Sequence, residues 1–215
     1  MIRLALPKGR NLAPVLAACR AAGLALGGLG DGDGRRLWFE LPGEAALGGE
    51  PFEVLLLKDR DLPLYVEYGV ADLGVVGSDV LGEVGGDLLA PLALADGRCR
   101  LSLIGYPGSM PAAGDQVRLA TKYPATARRL LAGRPWGADL VRLSGSVELA
   151  PLLELAELAL DIVQTGRTLA ENGLAELEVV AEVAPLVVVN RSAFQRHRRA
   201  INGFIARLEE AGVAR

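Results

Sequence analysis

Strand-like runs alternate with helix-like ones along this chain, and that alternation narrows the choice of folds before any motif is read. IRLAL (2–6), RLWFEL (36–41), FEVLLL (52–57), ADLGVVG (71–77) and CRLSLIGY (99–106) have the aliphatic and β-branched density of strands. So do VRLAT (117–121), ADLVRLS (138–144), LALDIVQT (158–165) and VAPLVVVN (183–190). Between them NLAPVLAACRAAG, PLYVEYG, TARRLLAG and SAFQRHRRAINGFIARLEEAG have helical spacing. The pattern predicts an α/β architecture with largely parallel sheets. GGLGDGDGRR (27–36) reads as loop. The closing stretch reads as one helix with Phe194, Ile201, Ile205 and Leu208 on its apolar side and QRHRR, including His197, as a solvated basic face.

Composition removes several classes of function. With 215 residues, 51% of them hydrophobic, the chain can bury a core of one domain or two small lobes. A net charge of -3 gives no basic excess for a nucleic-acid backbone, and small anions remain as ligands. Two cysteines and one histidine do not make a Cys/His zinc cage. The apolar run in MIRLALPKGR is too short for an export signal or a membrane span, so a soluble protein of a reducing cytoplasm is expected.

Open α/β sheets bind ligands beyond the carboxyl ends of their strands, where turns and helix starts offer N–H donors. DIVQTGRTL (161–169) stands at such a place. Gly166 lets a phosphate approach the backbone, Thr165 and Thr168 add hydroxyl donors, and a helix follows whose N-terminal dipole favours an anion. Arg167 adds charge or faces solvent, and Asp161 can accept from sugar hydroxyls or serve as a strand-edge carboxylate. The residues alone leave a phosphate site and an N-capped turn both open.

An internal echo aligns DLGVVGSDVL (72–81) with this stretch, placing Asp72 on Asp161, Gly77 on Gly166 and Asp79 on Thr168. Two lobes presenting one such loop each would form a cleft. LPKGR (6–10) brackets Gly9 with Lys8 and Arg10 at another strand end, and KDRDLP (58–63) follows FEVLLL with Lys58 and Asp61. Each reads as an anion contact or as a solvated, self-neutralised turn. Glu148 in GSVE lies near a helix start, where a capping interaction is the ordinary role. GxxxxGK[ST], GxGxxG after a strand, GxSxG and HExxH are all absent.

Five stretches in order, LPKGR, KDRDLPLYVEYGVADLGVVGSDVL, RLATKYP, GSVELAP and LDIVQTGRTLAENGL, resemble the ATP phosphoribosyltransferase family, the first enzyme of histidine biosynthesis. The chain departs from the family pattern at Glu154 and Glu157, where a glycine and an aspartate are usual, and at Leu64, often a threonine. The resemblance is to the short form. It implies a two-lobed, periplasmic-binding-protein-like fold of type II with an interlobe active-site cleft: lobe I from 1–91 and 181–215, and lobe II from 92–180 carrying the loop 161–169.

The reaction implied joins N1 of the ATP adenine to C1 of 5-phosphoribosyl 1-pyrophosphate (PRPP), releasing pyrophosphate, with Mg2+ carried by the substrate phosphates. The resemblance assigns Lys8, Arg36 and Lys58 to catalysis, with Arg35 as the other candidate for the Arg36 position. It assigns Glu148, Asp161, Thr165, Gly166, Arg167, Thr168 and Leu169 to PRPP, and Lys8, Gly9, Arg10, Asp61, Gly77 and Ser78 to ATP. It also implies a homodimer within a hetero-oligomer whose regulatory subunit resembles histidyl-tRNA synthetase. A type I phosphoribosyltransferase shares the loop pattern on another fold but usually shows two adjacent acids, and Leu160 precedes Asp161 here. A non-enzymatic small-anion-binding protein is the remaining alternative.

Overall fold

A computed structural model describes residues 1–24, 26, 29, 36–41, 49 and 51–214, with the side chain of Arg10 outside that description. Most of the loop expected at 27–36, including Arg35, also lies outside the described residues. The chain divides into two compact units, Met1–Arg98 with Ala184–Arg215, and Cys99–Val183.

The first unit contains β1 (Ile2–Pro7), a 3-10 turn (Gly9–Asn11), α1 (Leu12–Ala21), β2 (Trp38–Leu41), β3 (Phe52–Leu57), α2 (Leu62–Glu67), β4 (Leu73–Gly77), α3 (Ser78–Val84) and β5 (Leu88–Ala93). The second contains β6 (Cys99–Gly105), β7 (Gln116–Thr121), α4 (Pro124–Leu131), β8 (Gly137–Arg142), α5 (Leu149–Leu152), β9 (Leu158–Val163), α6 (Arg167–Glu171) and β10 (Ala175–Val183). The chain then returns to the first as β11 (Pro185–Asn190), α7 (Arg191–Arg196) and α8 (Arg198–Glu210). The family resemblance implies crossovers near 92 and 181. Here β5 pairs with β11, and a bridge joins Leu94 to Ala214, which keeps the chain with the first unit as far as Arg98.

Among the described residues the first sheet runs β2-β3-β1-β4-β11-β5 and the second β10-β6-β9-β7-β8. Both are mixed, not largely parallel. Only β1 with β3 and β4, and β7 with β8 and β9, pair in parallel. Parallel neighbours need a crossover connection. β11 arrives from the other unit and runs against both β4 and β5.

Strand alternation sorts the first core onto two faces. Leu4, Leu6, Phe52, Val54 and Leu73 pack with Val15 and Cys19 of α1 and with Phe204 and Leu208 of α8. Ala5, Val76 and Val188 pack on the opposite face with Leu62 and Val66 of α2 and Val80 of α3. Gly74 is required where these layers meet, because a Cβ there would lie 2.9 Å from both the Ala5 carbonyl and Leu62 Cδ2. The second unit repeats the arrangement, with Leu103, Leu119, Leu158 and Leu160 on one face and Ile104, Ala120 and Ala159 on the other.

The closing helix is broken at His197. Asn190 fixes the start of α7 by accepting the Ala193 N–H at 2.9 Å while its amide donates to the Val66 and Glu67 carbonyls. α8 must turn Ile201, Phe204 and Leu208 into the core. The chain satisfies both demands by leaving helical geometry at His197, which has φ -117° and ψ 26°. Among the described residues no helix is long and apolar enough to cross a membrane.

Candidate active site

The residues singled out in the first unit collect at one edge of its sheet. β1 and β3 are parallel and in register from Ile2↔Phe52 to Pro7↔Leu57. Lys8 and Lys58 therefore emerge side by side, joined by a bond from the Lys8 N–H to the Leu57 carbonyl at 2.8 Å. Both side chains are exposed. Asn11 ties the two turns together, its Nδ2 donating to Asp59 Oδ2 at 2.6 Å. Gly9 has φ 83°, and a Cβ at this position would meet nothing within 4 Å among the described residues.

β2 runs against β3 with Trp38 opposite Leu55, and the Leu56 N–H donates to the Leu37 carbonyl, so Arg36 reaches the same edge. Its Nε donates to the Trp38 carbonyl at 2.9 Å and its guanidinium lies 4.9 Å from the Phe39 ring centroid. Asp61 begins α2 without a side-chain cap. Gly77 ends β4, parallel to β1, beside the same strand ends. Ser78 already supports the fold, since its N–H donates to the Ala184 carbonyl at 2.9 Å and its Oγ accepts the Ala184 N–H at 3.2 Å. The side chain of Arg10 lies outside the described residues.

In the second unit β8, β7 and β9 are parallel, and their carboxyl ends carry the other candidates. Gly166 takes φ 74° and ψ 0°, the left-handed conformation that glycine adopts without a Cβ penalty, and caps α6. Thr165 Oγ1 accepts the Arg167 N–H at 3.4 Å, while both threonines are exposed. Arg167 turns away to pair with Glu171 at 2.8 Å and is 83% exposed, the solvent-facing option of the two left open. Leu169 is buried in the core, so only its backbone is available to a ligand.

Asp161 lies near the end of β9, with Oδ1 2.7 Å from the Ile162 N–H and 2.9 Å from Lys122 Nζ. Lys122 was not assigned a role from sequence. Its signal was its position directly after the VRLAT strand. Glu148 sits at the start of α5 and makes no side-chain cap there. The preceding Ser146 has φ 47°, an uncommon conformation for a serine.

The internal echo does not survive as a pair of equivalent sites. Asp161 precedes its strand end by two residues, whereas Asp72 stands at the opposite end of β4 from Gly77. Asp72 is buried and accepts the Arg3 N–H at 2.9 Å and Arg196 Nη2 at 3.3 Å. It closes a structural network that continues from Arg3 to the buried Glu53. The two stretches share a strand-turn-helix grammar, and only one aspartate faces a candidate ligand edge.

Comparison with known proteins adds identity to this geometry. The model of the ATP phosphoribosyltransferase family matches residues 58–210. The chain belongs to the ATP phosphoribosyltransferase family. The protein of that name from Thermus thermophilus is 43% identical over 212 residues, covering 97% of this chain and 96% of that protein. Its counterpart from Deinococcus radiodurans is 42% identical over 209 residues, covering 97% and 90%. A solved ATP phosphoribosyl transferase (HisG:HisZ) complex from Thermotoga maritima contains a chain that superposes with a TM-score of 0.80 at 32% identity over 98% of both chains. The chain thus has the periplasmic-binding-protein-like fold of type II. It is a glycosyltransferase of the first step in histidine biosynthesis.

Proposed function

We propose that the loop Thr165–Thr168 holds the 5-phosphate of PRPP, and that Lys8 and Lys58 serve the polyphosphate groups of the substrates. The observation that carries this reading is the left-handed Gly166 at the head of α6, which brings backbone N–H groups and two exposed threonine hydroxyls to one open turn. A helix start leaves N–H groups without intrahelical partners and favours an anion. Asp161 and Glu148 receive the ribose hydroxyls or magnesium-bound water.

Adenine N1 attacks C1 of the ribose as the C1–O bond to pyrophosphate breaks, the electron pair leaving with the pyrophosphate. A neutral ring nitrogen needs no base to attack, whereas charge accumulates on the leaving group. Lys8, Arg36 and Lys58, with Arg10, oppose that charge, and fixed cations near a departing anion supply most of such a rate enhancement. Gly9, Asp61, Gly77 and Ser78 complete the ATP contacts; Ser78 Oγ keeps a proton to donate after accepting from Ala184. Magnesium enters on the substrate phosphates, since it binds by preference to phosphate oxygens, water and one or two carboxylates. Asp161 and Glu148 would meet the ion through its bound water and not as direct ligands.

The Thermotoga neighbour is a two-protein complex. This supports the reading that the present chain works with a regulatory subunit, one resembling histidyl-tRNA synthetase; a homodimer within that hetero-oligomer and a cytoplasmic location are proposed with it. The test is to combine the purified chain, with and without such a subunit, with ATP, PRPP and magnesium, and to follow the ultraviolet change of N1-substituted adenine. Product formation is expected. Its absence under both conditions overturns the reading.

A further inference from the structure

Lys122 is the first residue after β7, and the parallel register Thr121↔Leu160 sets it beside Asp161 of β9. Its ammonium lies 2.9 Å from Asp161 Oδ1, with the two side chains 22% and 13% exposed. The same oxygen accepts the Ile162 N–H at 2.7 Å. Both of these contacts fall on Oδ1. The lysine is itself held in place. Thr121 Oγ1 donates to the Leu160 carbonyl at 2.8 Å and accepts the Tyr123 N–H at 2.9 Å, clamping the backbone on either side of Lys122. The ammonium also lies 5.2 Å from the centroid of the buried Tyr123 ring, within reach of a cation–π attraction.

We propose that Lys122 is a positioning residue for PRPP: it fixes Asp161 by one oxygen so that the other meets the ribose hydroxyls. The proposal rests on the reading of Asp161 as a sugar ligand. A carboxylate free to rotate would lose part of its binding to the sugar as ordering entropy, whereas one held by an ammonium and an N–H meets the sugar already oriented. Lys122 acts through Asp161. Its effect therefore disappears when that carboxylate is removed, and a lysine gripping a phosphate directly would keep its effect.

A double-mutant cycle on the full chain, with PRPP and magnesium titrated by calorimetry into the millimolar range, separates these cases. Lys122→Met is expected to raise the Kd for PRPP about tenfold, while kcat at saturating PRPP stays within about twofold of the parent. In an Asp161→Asn background the same change is expected to add less than about twofold. Lys122→Gln serves as the second variant, and thermal melting reports folding for each. Unchanged affinity in the single lysine variants, or an equal loss in both backgrounds, overturns the proposal. Asp161→Asn leaving PRPP affinity intact overturns instead the assignment of Asp161 to the sugar.

Discussion

The backbone N–H of Lys8 donates to the carbonyl of Leu57 at 2.8 Å, which fixes Lys8 and Lys58 as neighbours on adjacent parallel strands. Both ammonium groups are exposed at the strand ends, so folding obtains little from either. Their expected value is in the transition state, where pyrophosphate departs with its charge. Lys8→Gln and Lys58→Gln are each expected to lower kcat by roughly 10²-fold with the melting temperature nearly unchanged. A rate within about threefold of the parent for both would remove this pair from catalysis.

Gly166 has a different signature. A Cβ there would meet Val163 Cγ1 at 3.8 Å, an ordinary contact, so sterics within the protein do not forbid a side chain. The left-handed backbone does penalise it, by about 1–2 kcal/mol. Gly166→Ala is therefore expected to fold with a small loss of thermal stability, and to bind PRPP at least about tenfold more weakly as the turn relaxes and a methyl group enters the phosphate approach. Gly166→Val should be worse on both counts. Calorimetric titration of PRPP beside a thermal melt reads the two effects separately, and parent-like affinity would show that the turn carries no phosphate.

Most strands that position both edges were legible because their centres are buried: β1, β3, β4 and β9 read as largely apolar runs, and β7 is buried from Leu119 to Thr121. Two edge strands were not. β5 contains Pro91, tolerated where an edge N–H has no ladder partner, and β10 carries Glu176, Glu178 and Glu182 in a pattern that reads as a polar loop. The Lys122–Asp161 pair was invisible for another reason. It depends on β7 and β9 being neighbours, and sheet order is not written in either strand. The break at His197 has no sequence punctuation, since it arises from a conflict between the Asn190 anchor and the packing of α8.

The departure from family pattern at Glu154 has a structural consequence. This residue follows α5 with φ 56°, a conformation natural to glycine and uncommon for glutamate. Glu154→Gly is expected to stabilise the protein by about 1 kcal/mol, raising the melting temperature by roughly 2–4 °C for a chain of this size. Differential scanning calorimetry checks it. A lowered melting temperature would mean that contacts of the glutamate outweigh its backbone strain.

Glu157, the second departure, forms the best-connected ion pair of this region. Its carboxylate accepts the Arg118 N–H at 2.6 Å and Nη2 at 2.5 Å, while its own N–H donates to the Arg118 carbonyl at 3.1 Å. The side-chain hydrogen bond from Arg118 is the main cause that lowers the Glu157 carboxyl from an ordinary value of 4.5 to about 2, with the bond from the Arg118 backbone next. A carboxyl lowered on folding stabilises the native state above its unfolded value, and that contribution fades as pH falls toward the folded value. The gap in melting temperature between the parent and Glu157→Gln should thus be constant above about pH 5.5, and should shrink steadily from 4.5 to about 2. Both side chains are nearly half exposed, so the gap will be modest and will narrow with added salt. A gap that persists at full size below about pH 2.5 would show that Glu157 contributes through packing and not through its charge.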